Sequence, residues 1–419
     1  MAVNQHIEYN WIEGVEKLEK YQPRGYHPIM VGDVLHDRYH IADKLGSGGY
    51  STVWLARDTH LKRYVALKVN IANSIPRETK VLKALSAPPP SSLPVHPGYG
   101  LVPVFLDEFE VQGPNGRHTC YTVPPAQCNL REISFSRLFP LEVARALSYR
   151  LTQAVAYTHS KGYVHGDIHL SNILVKLPSS FDELSIKQLY EKYGEPETIP
   201  ITRRDGEPLP PNAPAKAVVP LFLGKYAEEF SLSDAHPLLS DFGEAFSPAS
   251  EARLGKDCHT PVSFRAPEAK FELEIALAYP SDIWSLATAI WEIIGMKAIF
   301  STDFVDEDEI AAQHIDVLGP MPSEWWQRWE ARPRFFDEHG HPLESYMENQ
   351  WPPLEESFET GVQKWRRRIG GEIEEDEKAA FLDLMRRMLS FRPEERPTAE
   401  QVLMSDWMVK WALPDCERS

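Results

Sequence analysis

The stretch VHGDIHLSNILV, from Val164 to Val175, places a carboxylate and an amide five positions apart, at Asp167 and Asn172. It forms a polar loop between two apolar runs. An aspartate in such a loop can accept or orient the proton of a hydroxyl group, and an asparagine can help a carboxylate to hold Mg²⁺. The pattern is compatible with phosphoryl transfer, a reaction that needs further groups elsewhere in the chain to bind phosphates.

A glycine-rich stretch, LGSGGYSTVWLA, lies between two strand-like segments. Gly46 and Gly48 lack side chains, so phosphate oxygens could approach the backbone closely. Ser51 occupies the position of the third glycine of a G-x-G-x-x-G motif, and glycine hairpins are common, so this stretch alone is weak evidence. Lys68 in the next strand, VALKV, strengthens it, because a lysine there needs an anionic partner unless it points to solvent from an edge strand.

Two acidic residues complete the candidate set. Glu78 is the only acidic residue between Lys68 and Asp107 and lies in the helical stretch PRETKVLKAL. We predict that it pairs with Lys68 and fixes the ammonium against phosphates. Asp241 follows an apolar run in LLSDFGEAF, and we predict that it holds Mg²⁺ together with Asn172. Glycine loop, strand lysine, helix glutamate, D-x4-N and D-F-G would rarely occur in this order by chance.

The elements that must position these residues change in type along the chain. From Tyr39 the pattern predicts strands over RYHIADKLG, STVWLARD, RYVALKV, LVPVFLDEFEV and HTCYTVPP. One helix interrupts them, with Pro76 as its first-turn residue. From Leu141 helical periodicity dominates, beginning with LEVARALSYRLTQAVAYTHSKG, which should end at Gly162. A β-rich part is therefore followed by a mainly helical part.

Three segments lie outside this pattern. Residues 1 to about 32 read as an extension in which Pro23, Gly25 and Pro28 interrupt regular structure. Residues from about 178 to 237 are rich in proline and charge and contain one short helix candidate, FDELSIKQLYEKYG. Residues from about 302 to 371 are acidic at their start and carry several tryptophans. We expect these tryptophans to pack an accessory helical layer rather than to line a ligand site.

Composition limits the class of protein. A chain of 419 residues with 42% hydrophobic and 25% charged residues is long enough for two globular lobes. The net charge of −17 argues against broad nucleic-acid binding and suits a basic partner, although acidity can serve solubility alone. Scattered cysteines without a CxxC pair favour a reducing compartment. No signal-peptide pattern or membrane-spanning run is found, so we expect a protein of the cytoplasm, the nucleus or both.

Taken together, the motifs resemble those of the eukaryotic protein kinases, from about Gly25 to Trp411. RAPEA resembles the end of the activation segment, and SDIWSLATAIWEIIG resembles the buried helix whose leading aspartate, Asp282, supports the catalytic loop. In FRPEERPTAEQVL, Arg396 would pair with Glu268. The resemblance implies an α+β, two-lobed kinase fold, with a small β-rich N-lobe carrying one regulatory helix and a larger, mainly helical C-lobe.

Within the kinases, the SR-protein kinases of the CMGC group are most similar. The stretch GYHPIMVGDVLHDRYHIADKLGSGGYSTVWLARD resembles their entry into the N-lobe, and they also carry a spacer between catalytic loop and DFG. The resemblance implies an ATP- and Mg²⁺-dependent monomer that phosphorylates serine in basic Arg/Ser-rich proteins of mRNA splicing, without contacting nucleic acid or membrane. It divides the chain into an extension (1–32), an N-lobe (33–125), a C-lobe (126–411) with a spacer (about 178–237) and an insert (about 302–371), and a tail (412–419).

The same resemblance extends the set of candidate site residues. Catalysis would depend on Asp167, Lys68, Glu78 and His169; ATP would contact Leu45, Gly46, Ser47, Gly48, Gly49, Val53, Ala66, Lys68, Ala126 and Leu174; and Mg²⁺ would be held by Asn172 and Asp241.

Besides Ser51, the chain departs from the kinase pattern at three places. Gly166 replaces the arginine that responds to activation-loop phosphate, so this switch is not expected. His169 stands where a lysine usually lies near the γ-phosphate; a neutral imidazole stabilises transferred charge less well than an ammonium, but a protonated one can substitute. Pro124 and Pro125 lack backbone donors at the hinge, so an adenine hydrogen bond would move to Ala126 or be lost.

Two alternatives remain open from the sequence. HGDIHLSN is close to the H-G-D-x-H-x-x-N loop of aminoglycoside and choline phosphotransferases, which explains Gly166 and His169 but leaves RAPE, Asp282 and Arg396 unexplained. A catalytically weak pseudokinase scaffold is the other. The altered glycine loop and hinge favour it, and the retained catalytic set argues against it.

Overall fold

The computed structural model describes residues 7–74, 77–89, 92, 94–303 and 305–419. The strands are β1 (Val34–Leu35), β2 (Tyr39–Ser47), β3 (Ser51–Asp58), β4 (Arg63–Asn70), β5 (Asp107–Gly113), β6 (Gly116–Val123), β7 (Ala126–Asn129), β8 (Ile173–Lys176), β9 (Thr198–Pro200), β10 (Lys216–Val218) and β11 (Pro237–Leu239). The α-helices are α1 (Arg77–Ser86), α2 (Leu130–Ser134), α3 (Leu141–Ser160), α4 (Ile186–Tyr193), α5 (Glu268–Phe271), α6 (Tyr279–Ile294), α7 (Glu307–Leu318), α8 (Ser323–Arg328), α9 (Glu344–Met347), α10 (Leu354–Phe358), α11 (Lys364–Arg368), α12 (Glu375–Met388), α13 (Ala399–Leu403) and α14 (Leu413–Glu417).

The chain divides into two compact units. The first consists of Met1–Ser86, Pro103–Cys128 and Lys176–Gly224, and the second of Ala87–Val102, Asn129–Val175 and Lys225–Ser419. The first unit is rich in strands and carries α1, whereas the second is mainly helical. The predicted α+β architecture is therefore confirmed.

The first unit is built on an antiparallel six-stranded sheet with the order β1-β2-β3-β4-β6-β5. The predicted strands from Tyr39 onward form this sheet, but the fourth begins only at Asp107 rather than at Leu101. Pro103, which has no backbone N–H, lies in the part that stays outside the strand. The helix α1 begins at Arg77, and the prediction for Pro76 falls outside the described residues.

The N-terminal extension and the spacer pack on this β-rich unit. One apolar cluster joins extension tyrosines, among them Tyr9 and Tyr26, to Ile201 and Ala217 of the spacer. The spacer also covers the outer edge of β2: the Tyr190 hydroxyl donates to Ala42 O (2.8 Å), and Leu221 N donates to Lys44 O (2.7 Å). Covering an edge strand satisfies backbone groups that would otherwise be open to pairing with another chain.

The helix in the spacer is shorter than the stretch predicted to form it. FDELSIKQLYEKYG divides into a 3-10 turn at Ser179–Glu183 and the helix α4. Ser185 and Gln188 form a capping box, in which each side chain bonds the other's backbone N–H. This cap fixes the helix start inside the stretch.

The second unit is centred on the helices α3 and α6. α3 ends just before Gly162, which has a left-handed φ of +81° and so confirms the predicted stop. Trp325 and Trp329 are buried in a cluster of aromatic and apolar side chains that confirms the accessory layer. Among the described helices, none combines the length and apolar character needed to cross a bilayer.

Candidate active site

The glycine-rich loop joins β2 to β3 in the first unit. Gly48 N donates to Ser51 O (2.9 Å), and the register between the strands shifts between Lys44 and Gly46. A Cβ added to Gly46 or Gly48 would meet no atom of the described residues within 4 Å. This open space beside the backbone fits a phosphate group, whose oxygens would approach the loop closely.

Lys68 and Glu78 form the predicted ion pair within the first unit. Lys68 Nζ lies 2.8 Å from Glu78 Oε2 and 3.1 Å from Oε1. The side chains are only 16% and 11% exposed, so the ammonium is held in one place rather than moving freely in solvent. An ammonium fixed in this way is suited to contact the α- and β-phosphates of a nucleotide.

The other predicted nucleotide contacts lie on strands beside this pair or in the second unit. Val53 pairs with both Gly46 and Lys68 across the sheet, so it lies between the glycine loop and the lysine. Leu45 and Val53 are partly buried, and Ala66 is buried. Ser47 at the end of β2 and Gly49 in the loop are exposed. Ala126 begins β7, and Leu174 is a partly buried residue of β8. Their contact with adenine stays a prediction.

Asp167 belongs to the second unit, where its neighbours fix it in one orientation. Asn172 Nδ2 donates to both Asp167 O and Asp167 Oδ2 at 2.9 Å. Asp167 Oδ1 is buried and has no hydrogen-bond partner among the described residues. A buried carboxylate oxygen without a partner is costly, and it is placed to accept a hydrogen bond from a bound hydroxyl group.

Hydrogen bonds to Ser240 and Asp282 fix the loop just before Asp167. His165 Nε2 lies 3.0 Å from Ser240 O, while Asp167 N lies 3.2 Å from His165 Nδ1. Because a carbonyl only accepts and a backbone N–H only donates, His165 carries its proton on Nε2. Asp282 accepts from His165 N (2.7 Å) and Gly166 N (2.9 Å), which confirms its predicted support of this loop.

The carboxylate of Asp282 stays charged although it is buried. Burial alone would raise its pKa, but the hydrogen bond from His159 (2.9 Å), nearby positive charge and the backbone donors hold the pKa below its ordinary value. Glu268 and Arg396 form the second predicted pair, with two short contacts of 2.8 and 2.7 Å. Asp282 therefore fixes the backbone just before Asp167, and Arg396 fixes Glu268 at the start of α5.

Asn172 and Asp241 lie at the same end of a strand pair. Asn172 precedes β8, Asp241 follows β11, and Leu239 pairs with Ile173 in antiparallel register. Ser240 N and Oγ both donate to Asn172 O at 2.9 Å. Asp241 has a φ of +60°, a left-handed conformation that is uncommon outside glycine and is often found at functional sites.

The donor set at this end fits Mg²⁺. Since Asn172 donates through Nδ2, its Oδ1 and the Asp241 carboxylate are oxygen ligands of the kind that Mg²⁺ prefers. Among the described residues no group of three or more His, Cys, Asp or Glu side chains is arranged to hold a metal ion. Asn172 and Asp241 would therefore share the ion with phosphate oxygens and water, as is usual for Mg²⁺.

The backbone at Gly166, the position of the usual arginine, disfavours a side chain. Gly166 has a φ of +75°, and a Cβ there would lie 3.0 Å from Glu244 O. Thr260 Oγ1 donates to Gly166 O (2.5 Å), while Glu244 Oε2 contacts Arg253 (3.0 Å) and His259 (2.9 Å). The activation segment is held by these internal charges. The sequence motifs did not indicate this cluster, whose members are separated by up to 94 residues, from Gly166 to Thr260.

His169 lies beside Asp167. Its Nε2 atom is 3.4 Å from Asp167 Oδ1 and 3.2 Å from Asn172 Nδ2, and its ring stacks on Phe264. It is thus close to where transferred charge would develop next to Asp167. The structure brings His169, Asp167 and Asn172 together.

Replacing His169 by lysine is expected to keep or raise the rate of phosphoryl transfer, by up to about tenfold, because an ammonium carries a permanent positive charge. Replacement by glutamine, which is neutral, should lower kcat. Steady-state kinetics of both variants and the wild type at pH 7.5 provide the measurement. Complete loss of activity in His169→Lys would show that the imidazole has another role.

Glu292 on α6 is a buried acid that the sequence motifs did not indicate. Its Oε1 lies 3.4 Å from Arg131 Nη1, and its Oε2 is buried without a hydrogen-bond partner among the described residues. Burial raises the pKa of Glu292 from 4.5 to about 7, although the charges of Arg131 and His169 oppose the shift.

We expect Glu292 to make the fold less stable as pH rises. Between pH 4.5 and about 7 the folded state keeps this proton while the unfolded state loses it, so the free energy of unfolding falls over this range and then levels off. Glu292→Gln cannot ionise. Its melting temperature relative to wild type should therefore increase from pH 5 to pH 7.5 in thermal unfolding. Parallel pH curves would contradict the assignment.

Comparison with known proteins finds related sequences and a related fold. Residues 230–408 match the family model described as the protein kinase domain. A serine/threonine protein kinase of Aspergillus fumigatus is 29% identical over 94% of this chain and 90% of its own length. A serine/threonine-protein kinase named SRPK from Physarum polycephalum is 27% identical over 94% of this chain and 91% of its own. A crystallised kinase domain covers 91% of this chain and 98% of its own with a TM-score of 0.60 at 18% identity, which shows the fold. The chain is a protein serine/threonine kinase that resembles the SR-protein kinases.

Proposed function

We propose that this kinase transfers the γ-phosphate of ATP to serine hydroxyls in Arg/Ser-rich proteins, with Mg²⁺ as its metal ion. The observation that carries the proposal is the carboxylate of Asp167. Asn172 donates to one of its oxygens, and the other has no hydrogen-bond partner among the described residues and lies 3.4 Å from His169 Nε2. The SRPK name of a relative that spans most of this chain supports the substrate class.

Each side chain of the site has a separate role in the proposed reaction. Asp167 accepts a hydrogen bond from the substrate hydroxyl and orients its oxygen for attack. Lys68, held by Glu78, contacts the α- and β-phosphates. Asn172 and Asp241 would hold the metal ion, which when bound neutralises charge on the phosphate oxygens. His169 lies 3.4 Å from Asp167 and adds a polar group beside the transferred phosphoryl group.

The acidic character of the chain supports a basic substrate, but the acids that open α7 are already paired. Asp306 contacts Arg334 (3.1 Å), and Asp308 contacts Lys270 (2.8 Å). The support therefore comes from the net charge of −17, which favours encounter with cationic peptides, rather than from this one cluster.

The test is a transfer assay with labelled ATP and Mg²⁺. An Arg-Ser repeat peptide is compared with a Lys-Ser repeat of equal charge, a generic basic peptide, and choline or an aminoglycoside. Transfer to the Arg-Ser peptide above the others supports the proposal. Equal transfer to the Lys-Ser peptide would contradict the proposed preference for arginine. Transfer to choline or the aminoglycoside would favour a small-molecule phosphotransferase. ATP binding without any transfer would indicate a scaffold.

A further inference from the structure

Two side chains of the N-terminal extension bind backbone carbonyls of the glycine-rich loop. The Tyr26 hydroxyl donates to Gly48 O (2.6 Å), and Lys20 Nζ donates to Gly49 O (2.5 Å). The Lys20 ammonium also lies 5.5 Å from the centre of the Tyr26 ring and 6.0 Å from that of Tyr50. Two successive peptide planes of the loop are therefore held from the same segment.

The orientation of these planes determines where the loop presents its donors. In a trans peptide the C=O of one residue and the N–H of the next point in opposite directions. Holding the carbonyls of Gly48 and Gly49 toward the extension therefore turns the N–H groups of Gly49 and Tyr50 away from it. Neither N–H donates a hydrogen bond to a described residue. Both N–H groups are available to an anion, and the two carbonyl oxygens, which would repel it, each accept a hydrogen bond from the extension.

The turn that carries Lys20 and Tyr26 is tightly constrained. Tyr26 N donates to Lys20 O (2.9 Å), which closes the turn. Arg24 has a left-handed φ of +73°, and a Cβ on Gly25 would lie 1.8 Å from Lys20 O. No side chain fits at position 25 without opening the turn, so Gly25 has a specific structural role.

Two asparagines tie this turn to the sheet and the spacer. Asn115, in the β5–β6 turn, accepts from Arg24 N (2.8 Å) and donates to Tyr26 O (2.7 Å). Asn212 of the spacer donates to Tyr21 O and to Asn115 Oδ1, both at 3.1 Å. The turn is thus held at a junction of three segments that are far apart in sequence.

We infer that residues 16–26, here termed the N-terminal brace, are a positioning element for nucleotide binding: Lys20 and Tyr26 orient the Gly49 and Tyr50 amides toward the phosphates of ATP. The inference rests on the proposed function, because ATP is the ligand in question. Lys20 and Tyr26 are positioning residues that act through the loop backbone rather than through contact with the nucleotide.

The test uses the full chain with Tyr26→Phe, Lys20→Met and both together. Tyr64→Phe and Lys17→Met are matched controls: the Tyr64 hydroxyl is buried without a hydrogen-bond partner among the described residues, and Lys17 is exposed. Hydrogen exchange of residues 46–51 without nucleotide should be at least about threefold faster in the double variant. The Kd for a fluorescent ATP analogue should rise about fivefold for each lost hydrogen bond. The controls should match wild type.

Wild-type loop exchange and wild-type nucleotide affinity in the double variant would overturn the inference. If Tyr26→Phe lowers the melting temperature by more than about 5 °C, the loop exchange and nucleotide affinity of Lys20→Met decide the test instead. The Lys20 side chain is partly exposed, so its replacement leaves the buried packing unchanged. Absence of phosphoryl transfer by the wild type would reject the proposed function. Faster loop exchange and weaker binding in the variants would still support the brace in that case.

Discussion

Replacing Asp167 by alanine is expected to lower kcat for phosphoryl transfer by about 10²–10⁴-fold, the range typical of a lost general base or orienting acid. The carboxylate is the only part of the residue that faces the proposed chemistry. Its loss removes the acceptor for the substrate hydroxyl, while the affinity for ATP should change by less than about threefold, because Lys68 and the glycine loop remain.

The fold should survive this substitution. Asp282 holds the backbone of His165 and Gly166, and Asn172 still donates to the backbone oxygen of residue 167. Circular dichroism and thermal unfolding should therefore show that Asp167→Ala is folded. A single-turnover assay should show that it no longer transfers the phosphoryl group. Asp383→Ala, which removes an exposed aspartate on α12, is the matched control and should retain full activity. Retention of more than about one tenth of wild-type activity in Asp167→Ala would reject the role assigned to this carboxylate.

The contacts of the site that could be predicted from the sequence are those between charged residues. Glu78 could be assigned to Lys68 because no other acidic residue lies between Lys68 and Asp107. Asp282 and the Glu268–Arg396 pair followed from resemblance, and the contacts form. For Lys68, the physical reason is that a charged residue in an apolar strand requires a partner, so Glu78 can be named before the fold is seen. The partners of Asp282, Glu268 and Arg396 follow from the resemblance alone.

What the sequence could not show depends on contacts between distant segments. At Pro23, Gly25 and Pro28 the sequence indicates interruptions of regular structure, but it does not indicate the turn that requires Gly25. The partners of that turn, Asn115 and Asn212, come from other segments. Polar asparagines in loops usually face solvent, and nothing in their neighbours' types indicates a mutual contact. Side-chain to backbone bonds of this kind leave no periodicity and no charge pattern, so they appear only in the folded structure.

Lys44 and Glu16 are the strongest case of such a hidden contact. Lys44 directly precedes the glycine loop and is fully buried, and it is paired with Glu16, which also accepts from the Tyr21 hydroxyl. Burial lowers the pKa of Lys44, and the charge and hydrogen bond of Glu16 oppose that shift. The contact makes Lys44 and Glu16 a buried ion pair inside the first unit, in which each charge depends on the other.

Replacing Glu16 by glutamine is expected to destabilise the fold by about 3–5 kcal/mol, because it leaves the ammonium of Lys44 buried without a counter-charge. Urea unfolding followed by tryptophan fluorescence measures the change, and Glu19→Gln, on an exposed residue of the same segment, should be neutral. The double variant Glu16→Gln with Lys44→Met removes both charges and should recover most of the loss, since a buried apolar side chain needs no partner. If Glu16→Gln has the same free energy of unfolding as wild type, then Lys44 is neutral in the folded state or has another partner. In that case the charge on Glu16 does not anchor the extension to the strand that leads into the glycine loop.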